Sequence, residues 1–549
     1  MAEFTLGLDF GTLSLRTILL NLESGEIEAE SVKSYPHAVM DRYLPDGKTP
    51  LPSNWALQFP QDYLTTMEDT ICEIKAMSNV NVNNIVGMAI DFTSCTVLPT
   101  TLKGTPLCDL DQFKDHPHAY AKLWKHHGAQ KEAHQIETSL KNLANEKKIK
   151  NPDSVSSEML LPKLLEIFHD DKIVFNATDV FIEAADWLTW ILTGNRKRSI
   201  NMAIYKAMWT PAEGYLKAEF LHQIEPGFED ALNKFAGEIS SLDSGIGCLL
   251  PEWADRLGLN RNLVVGTSVI DSHAGLIGSG VCNAGEASMV LGTSSVVLQL
   301  SEFPYSDHGV VGSVKGGVFP EYYLLEDGLP AVGDMFSWFI NNLFPFDYHH
   351  YSLEKNISPY DFLVHKAFEK KPGESGLIAL DWWNGDKTPY VNSDLSGLII
   401  GFTLHTKAED VYRALIESCA FGTRQILDEY RNAGTAVNEI VVSGGIAEKS
   451  PQLLQLFADV LKINIKRSSI KQTAAFGSAI LASVCAKKGK TEKNIRSEVN
   501  KYATKYDCIY KPDHQNSAIY DELYGIYRDL VCMFNPIEFE GMQKLRSFR

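Results

Sequence analysis

One local pattern occurs twice and restricts the fold more than any other feature of the chain. Residues 4–20 read FTLGLDFGTLSLRTILL: an apolar strand closing near Asp9, a tight Gly-Thr turn, and a second β-rich strand. Residues 287–300 read ASMVLGTSSVVLQL, the same plan around a Gly-Thr-Ser turn. One such hairpin is ordinary. Two, each opening one half of the chain, predict a duplicated lobe whose first loop offers amides and hydroxyls to phosphate.

At 549 residues the chain exceeds one ordinary domain and accommodates two large ones. The boundary is expected at 281–285, giving an N-terminal lobe over 1–283 and a C-terminal lobe over 284–549. Residues 85–92 (IVGMAIDF) read as a buried strand ending in Asp91, and 263–280 as a strand running into Asp271 and an Ala/Gly-rich helix start. Helical periodicity covers 156–168, 180–192 and 408–430, a strand is expected at 437–442 and a helix at 451–461. Strands alternating with helices of this length predict an α/β sheet in each lobe. Residues 141–153 read as a solvated helix end and loop. A final helix places Ile519, Leu523, Ile526 and Leu530 on one face, expected to pack on the second lobe, with a homodimer contact as the alternative.

Charge and composition narrow the partners. A net charge of -18 opposes nucleic-acid binding, which depends on Lys and Arg replacing counterions. It does not oppose ATP, because loop amides and a bound cation hold phosphates in acidic proteins. The start MAEFTLGLDFGT lacks the basic flank and apolar run of a signal peptide, and no apolar run reaches the roughly 20 residues of a membrane helix. Nine cysteines without a CxxC read as reduced thiols, so the expected compartment is the cytoplasm.

The turns suggest a chemistry. Gly11 and Thr12 present amides and a hydroxyl suited to phosphate oxygens, and Asp9 at the strand end suits a magnesium ion held through water. An ordinary hairpin with a capping aspartate is the plainer reading. Gly292, Thr293 and Ser294 form the second candidate phosphate turn. Residues 441–445 (VVSGG) lead to Lys449, and a turn at Gly444 and Gly445 lets a base or ribose approach backbone closely, although a simple left-handed cap has the same sequence. Residues 474–479 (AAFGSA) begin a small-residue helix suited to close contact between the lobes. In 111–130, Pro117 and Gly128 bracket a short helix expected to carry Lys122 and Trp124. The four histidines there lack Cys or carboxylate partners at zinc-ligand spacing.

Taken in order, the two hairpins, the connecting segments and the Gly-Gly turn resemble the superfamily of actin and hexokinase. Residues 396–417 (SGLIIGFTLHTKAEDVYRALIE) and 379–390 (ALDWWNGDKTPY) are similar to C-terminal signatures of the FGGY carbohydrate kinases. HAYAKLWKHH at 118–127 and DFTSCT at 91–96 are similar to members acting on ketopentoses. The resemblance covers nearly the whole chain. It implies two ribonuclease-H-like lobes with an interlobe cleft, ATP and Mg2+, and a ketopentose site at Ser94, Cys95, Lys206, Asp271 and Glu326. It also implies that Asp271 acts as the general base. The residue types agree, since carboxylates with one ammonium satisfy a polyol and reject analogues lacking a hydroxyl. The plainer readings are a helix N-cap for Asp271, a surface lysine for Lys206 and a turn carboxylate for Glu326. Alternatives are an FGGY kinase for another pentulose, hexulose or polyol, and a non-catalytic ATP-gated binding module, because fold alone does not establish function.

Overall fold

In a computed structural model, residues 2–147, 155–305, 312–390, 392, 394–432, 434–487, 494–503, 505–534 and 540–548 are described. The chain divides into two compact units. The first comprises Met1–Gly280, Gly317–Phe319 and Gln472–Thr504, and the second Val281–Gly316, Pro320–Lys471 and Lys505–Arg549.

In the first unit the hairpin forms as expected: Phe4–Phe10 pairs antiparallel with Ser14–Asn21, with Asp9 opposite Arg16. Ile27–Ser34 extends this side antiparallel. On the other side Ile85–Phe92 runs parallel to the first strand, followed by Val264–Gly266 and the edge strand Gly245–Cys248, and Val269–Ile270 joins the end of Ile85–Phe92. Position in the sheet explains the sequences. Phe4–Phe10 is buried along its whole length and reads as a continuous apolar run, whereas the edge strand Ile27–Ser34 alternates buried and exposed residues. The helix Thr473–Ala486 covers this sheet closely. A Cβ added at Gly7 would lie 1.8 Å from the Ala475 carbonyl oxygen, and one at Gly87 would lie 2.7 Å from that of Ala482. The small-residue helix expected to serve contact between the lobes therefore has its tightest packing inside the first unit, because these glycines admit its backbone.

The second unit repeats the order. Its sheet runs Gly312–Lys315, Tyr323–Leu329, Ser295–Ser301, Glu286–Leu291, Glu439–Ser443, Asn464–Ser468 and Tyr506–Tyr510. Here too the hairpin strands are antiparallel, and the next strand in the sheet lies parallel to the first strand of the hairpin. The helix Ala408–Asn432 and the helix Pro451–Leu461 form where the apolar period predicts them.

Four expectations change. The stretch 180–192 is split: Val180–Glu183 is a strand paired with Val97–Thr100, and the helix is Ala184–Thr193. The β-rich VFIE segment completes a sheet, and that pairing overrides the helical period. The helix expected over 156–168 begins at Leu160 and ends at Asp170. Lys122 and Trp124 are not helical: Ala121–Lys122 is a two-residue strand against Leu57–Gln58, and only Pro117–Ala119 makes a helical turn. On the last helix, His514–Met533, the packed face is Tyr520, Tyr524, Tyr527, Leu530 and Val531, while Ile519 and Ile526 are exposed. Aromatic rings bury more area at the same helical spacing, and their hydroxyls find partners, Tyr527 donating to Asp381 at 2.7 Å. Of 141–153, residues through Lys147 close the helix Gln130–Lys147 and the rest lie outside the described residues. Among the described residues no helix is long and apolar enough to cross a membrane.

Candidate active site

Three aspartates gather at the carboxyl ends of three neighbouring parallel strands of the first unit. Asp9 and Asp91 are register partners, Val269 is also level with Asp91, and Asp271 follows two residues later. The carboxyl ends of parallel strands are where α/β sheets place ligands. Asp9 is nearly buried and pairs with Arg16 at 3.0 Å. Asp91 is wholly buried, its Oδ2 accepting from Ser478 Oγ at 2.7 Å. Burial first, then the Asp9 carboxylate, hold the Asp91 carboxyl well above its ordinary range.

Asp271 is the first residue of the helix Asp271–Gly278, whose N-cap is Ile270. Its Oδ1 accepts the Ser272 amide at 2.7 Å. The strict N-cap reading is therefore replaced by a first-turn carboxylate, which the helix dipole favours. Asn201 fixes this corner: its Oδ1 accepts the Ile270 amide at 3.0 Å and its Nδ2 donates to the Gly317 carbonyl at 2.8 Å.

The first turn closes through Gly11 N donating to Ser14 O at 3.0 Å. Thr12 is held from two sides. Trp124 Nε1 donates to its Oγ1 at 3.1 Å and Gln58 Nε2 to its carbonyl at 2.8 Å. With the indole occupying a lone pair, the Thr12 hydroxyl hydrogen stays free to donate to a phosphate oxygen.

Ser94 and Cys95 leave the strand of Asp91. Cys95 adopts a left-handed φ of 49°, and Ser94 Oγ is buried without a partner among the described residues. Lys206 ends the helix Ile200–Lys206. Glu183, at the end of its strand, is almost fully buried; burial and then Asp186 push its carboxyl up to about 8, opposed by the nearby ammoniums of Lys163 and Lys206. The same two ammoniums act on the Cys95 thiol. Lys206 therefore lies within electrostatic reach of Cys95 and Glu183.

The histidines of 111–130 have structural partners. His126 meets Glu166 at 2.9 Å and His116 meets Asp171 at 2.7 Å. Lys122 is fully buried, pairing with Glu166 at 2.9 Å beneath the Trp55 ring. Among the described residues no group of three or more His, Cys, Asp or Glu side chains is arranged to hold a metal ion directly. Asp9 nonetheless suits magnesium, which keeps several waters and takes one or two carboxylates with substrate phosphates.

In the second unit the turn of Gly292, Thr293 and Ser294 meets the start of the helix Gly333–Leu343. Val332 N donates to Thr293 O at 2.8 Å and Gly333 N to Gly292 O at 3.0 Å. Gly444, at φ 101°, lies against the same hairpin, since a Cβ there would be 2.5 Å from Leu291 O, whereas Gly445 faces open space. Lys449 is exposed at the end of its short helix. Glu326 sits opposite Leu298 in its strand, half-buried, beside the buried Asp327.

Sequence reading passed over several residues that shape this site. Ser478 lies 387 positions from Asp91, and no local pattern pairs them. Glu183 carried a faint signal, a carboxylate closing an apolar run. Trp124 was singled out for a helix, but its role is the contact with Thr12.

Comparison with known proteins agrees with this topology. Residues 4–278 match the FGGY family of carbohydrate kinases, N-terminal domain, and 287–486 its C-terminal domain. The ribulokinase of Halalkalibacterium halodurans is 38% identical over 550 residues, covering 100% of this chain and 98% of the relative. That of Shouchella clausii is 38% identical over 556 residues with the same coverage. Among solved structures, ligand-bound xylulose kinase from Lactobacillus acidophilus superposes with a TM-score of 0.79 at 18% identity, covering 97% of this chain and 98% of that one. Plasmodium falciparum glycerol kinase with ADP gives 0.75 at 17% identity, covering 96% and 98%. The fold is that of the actin-like sugar kinases. The chain belongs to the FGGY family of carbohydrate kinases, and the Halalkalibacterium and Shouchella relatives, matched over its whole length, are named ribulokinases.

Proposed function

We propose that this carbohydrate kinase transfers the γ-phosphoryl group of ATP to the primary hydroxyl of L-ribulose, giving L-ribulose 5-phosphate and ADP as a step of L-arabinose catabolism in the cytoplasm. The observation that carries this reading is full-length similarity, at 38% identity, to proteins named ribulokinases. The electrostatic influence of Lys206 on Cys95, which lies just past the Asp91 strand, supports it.

In this reading Ser94, Cys95, Lys206 and Glu326 hold the ketose hydroxyls. Asp271 accepts the proton of the attacking hydroxyl as the new O–P bond forms and the bond to the β-γ bridging oxygen breaks, the electron pair leaving with ADP. Amides of Gly11 and Thr12, with Gly292, Thr293 and Ser294, donate to phosphate oxygens and compensate the charge of the transferring group. Gly445 leaves room for adenosine at the turn that Gly444 packs against Leu291, with Lys449 nearby. Magnesium carried with the nucleotide supplies charge neutralisation, and Asp9 would hold it through water.

The test is ADP release, by a coupled assay, with L-ribulose, D-ribulose, D-xylulose, ribitol and glycerol. L-ribulose is expected to give the highest kcat/KM. A preference of tenfold or more, about 1.4 kcal/mol, for another member of the panel would overturn the substrate assignment.

A further inference from the structure

Lys163, on the helix Leu160–Asp170, is completely buried. Its ammonium donates to two backbone carbonyls, Cys95 O at 2.6 Å and Leu123 O at 2.9 Å. Burying an ammonium is costly, and burial accordingly lowers the Lys163 pKa. An apolar side chain of this length would fill the same space without that cost.

What the ammonium holds is specific. Cys95 is one of the few non-glycine residues at positive φ among the described residues, a conformation in which Cβ crowds its own carbonyl and which persists only where surroundings impose it. The surroundings are visible. Thr93 and Thr96 hydroxyls share a hydrogen bond of 2.8 Å, the Ala184 amide donates to Thr96 O at 2.7 Å, and Lys163 takes the Cys95 carbonyl. The turn so held keeps Ser94 Oγ buried and, among the described residues, unbonded. The second carbonyl, of Leu123, belongs to the residue directly after the two-residue strand Ala121–Lys122.

We infer that Lys163 is a positioning residue for the sugar: by binding the carbonyls of Cys95 and Leu123 it holds the left-handed turn at Cys95 in the shape that presents Ser94 and Cys95 to the ketose. The inference rests on the ribulokinase reading above for the identity of the sugar. It makes Lys163 act on sugar affinity through backbone it touches, without contact with nucleotide.

The experiment is a double-mutant cycle on the full chain. K163M is expected to raise KM for L-ribulose at least about tenfold while KM for ATP stays within about threefold, since a misplaced loop weakens one substrate and not the other. Glycine enters the left-handed region without strain, so in a C95G background, where the thiol is absent from both members of the pair, adding K163M is expected to raise the ribulose KM by less than about threefold. A K163M ribulose KM within about threefold of wild type, equal losses for both substrates, or a K163M effect as large in the C95G background as in wild type would each overturn the inference. If K163M does not fold, K163Q, which retains donors on a shorter stem, is read the same way. Failure of both to fold would also overturn it, by making Lys163 a core residue first. If wild type ignores L-ribulose, the substrate reading has failed. The cycle is then run with the sugar that wild type does phosphorylate, and the inference on Lys163 stands or falls separately.

Discussion

Asp9 and Asp91 occupy register-paired positions on adjacent parallel strands, so two carboxyl groups share one sheet edge at which Arg16 answers the first and Ser478 the second. Asp271 begins its helix just past the strand level with Asp91. One edge thus collects acids with different partners, and only Asp271 is assigned to proton transfer.

Asp271→Asn tests that assignment. Asparagine keeps the shape and the acceptor for the Ser272 amide but takes no proton. A positioned general base contributes about 10²–10⁴-fold, roughly 3–5 kcal/mol of barrier. The variant is expected to melt near wild type, bind ATP and lose at least about a hundredfold in kcat. Turnover within about threefold of wild type would end the general-base assignment.

Lys206→Met and Glu326→Gln should separate sugar binding from nucleotide binding. Each is expected to raise KM for L-ribulose by about tenfold or more, the range set by leaving one polar partner unmatched, with ATP affinity nearly unchanged. Isothermal titration with each ligand measures this. Loss of ATP binding with ketose affinity preserved would contradict the assignment.

Gly477→Ala probes the crossing of the two helices that carry Asp271 and Ser478. The new methyl would sit 1.9 Å from Ala274 O and 3.0 Å from Gly278 N, both rigid backbone. Overpacking of this kind costs about 1–3 kcal/mol or more. The urea midpoint should fall and kcat with it, because both residues ride on the displaced helices. An unchanged midpoint would show that the crossing adjusts freely.

Stability in the second unit should depend on pH through Asp381. Burial pushes its carboxyl up to about 6, partly opposed by the Tyr527 hydroxyl donating at 2.7 Å. A folded-state pKa above the unfolded 3.8 means that the contribution is full below pH 4 and is lost as pH rises through about 6. Asp381→Asn, which keeps the acceptor for Tyr527, is expected to remove a pH-dependent loss on the order of 2–3 kcal/mol between pH 4 and 7, measured as the difference in unfolding free energy from wild type. Parallel pH profiles for the two proteins would exclude an ionisable Asp381 as the source.

How far the chain could be read from its letters depended on the range of the interactions. Both hairpins, the strand ending in Asp91 and the helix starting at Asp271 rest on local period and turn chemistry, and their bounds lie close to those expected. Lys122 was misread because its burial depends on Glu166, 44 residues away, and on Trp55. Val180–Glu183 was absorbed into a helix because its partner strand, Val97–Thr100, is distant in sequence. On the last helix Leu530 and Leu523 pack against the core as expected, but the tyrosines carry the weight given to the exposed Ile519 and Ile526.

The return of Gln472–Thr504 to the first unit has a consequence for biosynthesis. The strands bearing Gly7 and Gly87 leave the ribosome well before the helix Thr473–Ala486 that covers them. Until residue 486 clears the exit tunnel, that sheet face stays wet and the Asp91 carboxyl lacks its Ser478 donor. The first unit therefore cannot complete the sheet end that carries Asp9 and Asp91 before the segment Gln472–Thr504 has been made. A nascent chain stalled anywhere before the Thr473 helix leaves bare the sheet face that this helix covers at Gly7 and Gly87.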